Sequence, residues 1–151
     1  MIRNYKYGKR SERVKKSTSY SMQQVCNRAM FIANSRKLHC PDFGLSRGFS
    51  TAEEQYELFK KGRDNNGQIV FSGLVVTHCD GYEKLSTHQS RNAIDFFPIG
   101  DNGKADYSDL AIMYVTTCFM EAASDLGYLI DWGGSFKSIS DGCHIELTKI
   151  Y

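Results

Sequence analysis

Apolar residues return at helical spacing in three stretches of the chain. In residues 19–34, Met22, Val25, Cys26, Ala29, Met30 and Ala33 share one face, with Ser19 or Ser21 placed to cap the first turn. Thr51-Ala52-Glu53-Glu54 is a capping box, so a second helix starts at Thr51, continues through Gln55, Leu58 and Phe59, and ends near Gly62. The third covers 107–126, with Leu110, Met113, Tyr114, Thr117, Met120 and Ala123 as its stripe and Gly127 as its stop. A turn at 39–42 leads into a short mixed stretch, 43–49. Asp64-Asn65-Asn66-Gly67 marks another turn, and the β-branched and aromatic run after it, 68–78, reads as a strand. In residues 92–97, a strand would put Ala93, Asp95 and Phe97 on one face and Asn92, Ile94 and Phe96 on the other. Short strands are expected at 128–132 and 143–147. Helices first, with strands interleaved irregularly, predict an α+β fold: a small antiparallel sheet flanked by helices.

At 151 residues the chain fits one domain, 1–151, with no internal repeat or linker. Charge divides it. Residues 1–16 hold seven Lys or Arg against one Glu, while the rest of the chain holds twelve against sixteen. That basic segment suits nucleic acid, an anionic membrane or an anionic cell wall, and equally plain solvation. No nucleic-acid motif accompanies it, so no nucleic-acid partner is expected and contact with an anionic envelope surface is the reading retained. No apolar run approaches the ~20 residues of a membrane span. The first residues lack the apolar segment of a secretory signal, which leads us to expect a soluble product made in the cytoplasm. Five cysteines without a CxxC pair fit free thiols better than a disulfide framework.

Two stretches carry chemistry. One is Ser86-Thr87-His88-Gln89-Ser90-Arg91-Asn92-Ala93-Ile94-Asp95. The other is Asp131-Trp132-Gly133-Gly134 followed by Asp141-Gly142-Cys143-His144-Ile145-Glu146. A catalytic zinc takes three ligands from His and carboxylate and keeps a fourth position for water. His88, Asp95 and His144 would satisfy that, with Asp141 near enough to serve as general base and Glu146 on the strand face of His144 to orient its imidazole. In the competing reading His88 is a polar loop residue, Asp95 pairs with a nearby cation, and Asp141 and Glu146 are solvated. His39-Cys40 and His78-Cys79 form an alternative soft donor set, sterically awkward as two adjacent pairs. Residues 101–106 have the acidic spacing of a calcium loop with its glycine and glutamate misplaced, and read as a turn.

The two stretches resemble the zinc peptidases of the D-alanyl-D-alanine carboxypeptidase and L-alanyl-D-glutamate endopeptidase family, in particular its phage endolysin branch. The family's Ser-x-His-x-x-Gly-x-Ala-x-Asp is matched by Ser86, His88, Ala93 and Asp95. Its Trp-Gly-Gly and Asp-Gly-Pro-His-Phe-Glu resemble residues 132–134 and 141–146, and the helix from Thr51 resembles its second helix. The resemblance spans about residues 48–147. It implies Zn²⁺ on His88, Asp95 and His144, with Asp141 as base. The implied function is a bacteriolytic cell-wall hydrolase cutting a peptidoglycan stem peptide at the L-alanyl-D-glutamate bond. A phage lysin would be made in the bacterial host cytoplasm and would act on the wall after release.

Three departures stand out. Arg91 occupies the family's glycine position, and Cys143 its proline. Ser50 stands where the family often has an arginine in a Gly-x-Arg-Thr turn, with Arg47 nearby. We expect Arg91 turned inward, binding a substrate carboxylate or replacing the missing arginine, with Ser86 and Ser50 as further candidate substrate contacts. The alternative is a catalytically weak peptidoglycan-binding or regulatory module that keeps the fold and the metal.

Overall fold

Sixteen residues after the Ser19 cap wind into helix α2, Tyr20–Ser35, and the Ser19 hydroxyl accepts the Met22 amide as that sequence pattern predicts. In the computed structural model, residues 3–36 and 39–148 are described. Helix α1, Lys9–Lys16, precedes α2, and strand β1, Asp42–Arg47, follows it. Helix α3 is Ala52–Phe59, with both arms of the Thr51/Glu54 capping box formed. Strand β2 is Ala93–Ile99, and helix α4, Asp109–Leu126, ends on Gly127 in the left-handed conformation. Strands β3, Ile130–Trp132, and β4, His144–Leu147, complete an antiparallel sheet of order β1-β2-β4-β3.

One face of the sheet packs on α2 and α4. Phe43, Leu45, Ile94, Phe96 and Ile145 point into that core, and the Phe119 ring of α4 lies 5.5 Å from Phe43 and 5.4 Å from Phe96. Full burial of such side chains stabilises by about 1.5–3 kcal/mol each. Strand alternation then forces the intervening residues, Asp95 on β2 and His144 and Glu146 on β4, to the opposite face. The core side is a rigid mount, and the other side carries the polar chemistry.

Three sequence expectations change. The 68–78 run is not a strand: it holds one 3-10 turn, Ser72–Leu74, and an isolated bridge from Ile69 to Arg63. Its Val70 and Phe71 amides bond back to the Gly62 carbonyl, so β propensity without a free sheet edge produced an exposed apolar loop. On α4 the buried residues are Ala111, Val115, Thr116, Cys118, Phe119, Ala122 and Ala123, so Ala123 of the expected stripe is buried while Leu110, Met113 and Met120 are exposed. Apart from Phe119, which packs on the sheet, the α4 interior is made of small side chains, as is the buried face of α2 with Cys26, Ala29 and Ala33. Finally, the basic segment is partly helical. Ser11 of α1 accepts the Leu45 amide at the edge of β1, and Lys15 buries its stem while its ammonium bonds Glu12 and Asn27.

Candidate active site

The sheet register lines up three polar residues on adjacent strands. Asp95 of β2 stands opposite His144 of β4, and a register shift between Leu45 and Arg47 brings Arg47 of β1 opposite Asp95 from the other side. A bulge of this kind re-aims a side chain at the end of a strand. Without it the alternation of β1 would not bring Arg47 beside Asp95.

His88 arrives from the turn before β2. Its ring is 2% exposed, and Nδ1 lies 2.6 Å from the Gly48 carbonyl oxygen. A carbonyl can only accept, so Nδ1 carries the proton and Nε2 of the neutral ring is a bare lone pair. Nε2 has no hydrogen-bond partner, and what faces it, 3.2 Å away, is Asp95 Oδ1, another acceptor. Two buried acceptors aimed at one point are repulsive unless a proton or a cation lies between them. Asp95 Oδ1 is also 2.9 Å from His144 Nδ1, and donor atoms of all three residues fall within 4.8 Å of one another. The donor set, two imidazoles and one carboxylate, fits zinc. Among the described residues this is the group able to hold a metal; the His39-Cys40 and His78-Cys79 pairs do not assemble into one.

Glu146 fixes the second imidazole. Its Oε2 lies 2.8 Å from His144 Nε2 and accepts the Thr87 hydroxyl at 2.8 Å. Nε2–H therefore points to Glu146, leaving Nδ1 to face Asp95 and the metal position. Burial alone would lower the His144 pKa, but hydrogen bonds to Asp95 and Glu146 raise it to about 9. Burial alone would likewise raise Asp95, yet the hydrogen bond from His144 and the charge of that imidazolium hold its carboxyl well below the usual carboxylate range. In the metal-free protein His144 is thus an imidazolium at neutral pH, and a metal must displace its Nδ1 proton. Apparent metal affinity should rise up to about tenfold per pH unit until pH about 9 and level off above it. Calorimetry of zinc binding at pH 7 in two buffers of different ionisation enthalpy should show close to one proton released from this imidazole; heats that do not depend on the buffer would contradict it.

Asp141 lies at the mouth of the same cleft, a space of about 390 Å³ whose walls include Arg47, Ser86, His88, Asp141 and His144. The Trp-Gly-Gly segment positions it. Gly133 accepts the Asp141 amide at 2.9 Å, and a Cβ on Gly133 would run into the Asp141 carbonyl and the His144 side chain. Trp132 Nε1 donates to the Gly142 carbonyl at 2.8 Å, closing the loop against β3. Between Asp141 and His144, the Cys143 thiol packs against the core, and burial with the nearby Asp141 and Asp95 charges pushes it up to about 11. It is a neutral spacer at working pH, outside the donor group.

The D-alanyl-D-alanine carboxypeptidase family profile matches residues 80–147, the segment that contains every one of these donors. The peptidoglycan L-alanyl-D-glutamate endopeptidase CwlK of Bacillus subtilis is 31% identical over 120 residues, covering 70% of this chain. The L-alanyl-D-glutamate peptidase of Escherichia phage T5 is 28% identical over 157 residues, 96% of this chain and 99% of its own length. The chain is thus similar to this peptidase family across the segment that carries its candidate site. It spans 60% of the length of the Bacillus relative. The crystal structure of the Serratia marcescens L-Ala D-Glu endopeptidase ChiX shares the fold, with a TM-score of 0.70 over 96% of this chain and 92% of that one at 19% identity.

That likeness gives the departures their meaning. Arg91 has a positive φ, 64°, which is why glycine suits the position. Its side chain does not enter the cleft, which corrects the inward placement: Nη1 donates to the Ser17 carbonyl at 2.7 Å and the guanidinium stacks 4.1 Å from the Phe49 ring centroid. The Ser17 carbonyl and the ring of Phe49 hold the cation at the exposed surface. Arg91→Gly should therefore leave cell-wall hydrolysis within about twofold, with any stability change near ±0.5 kcal/mol as strain relief offsets the lost contacts. Steady-state rates on purified walls check this; a hundredfold loss would return Arg91 to the mechanism.

Ser50 is buried and does not line the cleft. Its hydroxyl accepts Arg47 Nε at 2.9 Å. Ser86 does line it, with its hydroxyl accepting the His88 amide at 3.3 Å, so it shapes the turn that carries His88. Arg47, Gln55 and Thr87 are the site residues that spacing did not single out. Gln55 in particular, 1% exposed, reads in the sequence as part of a core stripe, whereas its carboxamide bonds Arg47, Thr77 and the Cys79 carbonyl.

Proposed function

We propose that this protein is a zinc-dependent peptidoglycan endopeptidase of the endolysin type, cutting the stem peptide at the L-alanyl-D-glutamate bond. The observation that carries the reading is the buried, unpartnered Nε2 of His88 facing Asp95 and His144 in the cleft that also contains Asp141. The names of the Bacillus and phage relatives supply the bond. His88, Asp95 and His144 would hold the ion, and Glu146 would keep His144 in the ligating tautomer. A zinc ion in an open site of this kind supplies Lewis acidity, acidifying water and polarising a carbonyl. Asp141 takes the proton of the attacking water and passes it to the leaving amine, a transfer its place at the mouth of the cleft allows.

The stem peptide is acidic, and the basic segment fits that. Arg10 and Arg13 of α1 line a groove of about 700 Å³ that shares Arg47 with the cleft, so the N-terminal cations would meet the anionic wall beside the reacting bond. No helix among the described residues is long and apolar enough to cross a membrane. The decisive experiment is digestion of purified cell walls by zinc-loaded protein, followed by mass spectrometry of the fragments. New N-terminal D-glutamate and C-terminal L-alanine ends are expected. Loss of D-alanine alone would make it a carboxypeptidase, and intact walls would leave a binding module.

A further inference from the structure

The cleft contains one cation whose orientation is fixed by two hydrogen bonds, and neither the family profile nor the expected motif spacing assigns it a role. Arg47 Nε donates to Ser50 Oγ at 2.9 Å, and Nη2 donates to Gln55 Oε1 at 2.6 Å. Gln55 is itself locked, because its Nε2 donates to the Cys79 carbonyl at 2.9 Å and to Thr77 Oγ1 at 3.2 Å. That leaves Oε1 no choice but to face the guanidinium. Two edges of a planar fork are thereby occupied. The third nitrogen, Nη1, lies 4.0 Å from Asp95 Oδ2, too far for a hydrogen bond, and lines the cleft.

We propose that Arg47 binds the scissile carbonyl oxygen through Nη1 and stabilises the negative charge that develops on it during hydrolysis. This rests on the peptidase reading of the same cleft. The geometry is specific to that task. Asp95 Oδ1 is the oxygen turned to both histidines, so Oδ2 is the oxygen turned away from the metal position, and Nη1 sits beside it at the edge of that position. A substrate carbonyl oxygen held in the cleft beside Asp95 would meet the free N–H groups of Nη1. The side chain is 28% exposed, open enough to reach substrate and shielded enough for a charge to act strongly. Lys84, another cation on the cleft wall, is exposed and sits on a loop. Ser50, where the family often has its arginine, becomes the residue that aims one: the guanidinium has changed sides of a single hydrogen bond. Gln55 and Ser50 are positioning residues for it.

The test compares zinc-loaded wild type with Arg47→Ala and Arg47→Lys. Arg47→Ala should keep one zinc per chain and its fold, while kcat on a stem peptide falls about 10²–10³-fold with KM little changed, the scale of losing one oxyanion donor. Guanidinium chloride well below denaturing concentration should restore part of that rate. Lysine, which cannot bond Ser50 and Gln55 while reaching the carbonyl, should recover less than a tenth of it. A second measurement needs no turnover. A phosphinate analogue of the stem peptide, tetrahedral at the reacting centre, should bind Arg47→Ala weaker by the same factor in calorimetry, with the cleaved peptide product bound as before. Equal hydrolysis by Arg47→Ala, or equal loss of phosphinate and product affinity, would overturn the assignment, as would loss of zinc with the side chain. If wild type itself cuts no stem peptide, the peptidase reading fails and this role with it; if wild type cuts and Arg47→Ala cuts as fast, only the role of Arg47 fails.

Discussion

His144→Ala should abolish metal binding and hydrolysis together, whereas Glu146→Gln should weaken metal binding only about 10–100-fold. The difference follows from position. His144 offers Nδ1 to the shared point with Asp95, so its removal leaves two donors from His88 and Asp95, and three are the minimum for a stable zinc site. Glu146 touches His144 through Nε2 and acts only by holding the ring. A glutamine there can still accept the hydrogen bond from Nε2–H but carries no charge to support the ligand. Zinc content after dialysis, measured by elemental analysis beside a titration with a competing chelator, separates the two variants. A His144→Ala protein with a full zinc complement would show that the metal sits elsewhere.

The convergence of the candidate donors was legible in the sequence where it depends on strand register. Asp95 and His144 each occupy the odd phase of a short strand, and the alternation that buries Ile94 and Ile145 necessarily turns them outward. The Trp-Gly-Gly and Asp-Gly stretches were legible for a similar reason, since close backbone approach leaves no room for a side chain at Gly133. Helix ends were visible too, because the caps of Ser19 and Thr51 are local chemistry.

What the sequence hid depends on partners far away along the chain. The 68–78 run has the residues of a strand but no ladder to join, and nothing within the run says so. The α4 stripe was misjudged because large apolar residues outrank small ones in any count, while close packing on α2 selects Val115, Cys118 and Ala122. Arg47 was missed through a single-residue shift in β1, which no periodicity announces. Arg91 was misplaced for the opposite reason. Sequence proximity to His88 suggested the cleft, and Ser17 and Phe49 hold the side chain at the exposed surface instead.

Asp141→Ala should keep the metal and lose hydrolysis. Asp141 is not one of the three converging donors, and its carboxylate is tied only to the Cys143 amide, at 3.2 Å. Removing it costs the loop one weak bond, while the Asp141 amide to Gly133 and Trp132 to Gly142 remain, so the His144 strand keeps its place. A positioned general base contributes about 10²–10⁴-fold, and the rate on purified walls should fall by that much with zinc still at one per chain. Asp141→Asn sharpens the reading, because the amide preserves the bond to Cys143 and cannot take a proton. Equal losses for alanine and asparagine identify proton transfer as the function. If asparagine retains activity, the side chain serves the loop rather than the chemistry; if either variant loses zinc, Asp141 is a ligand.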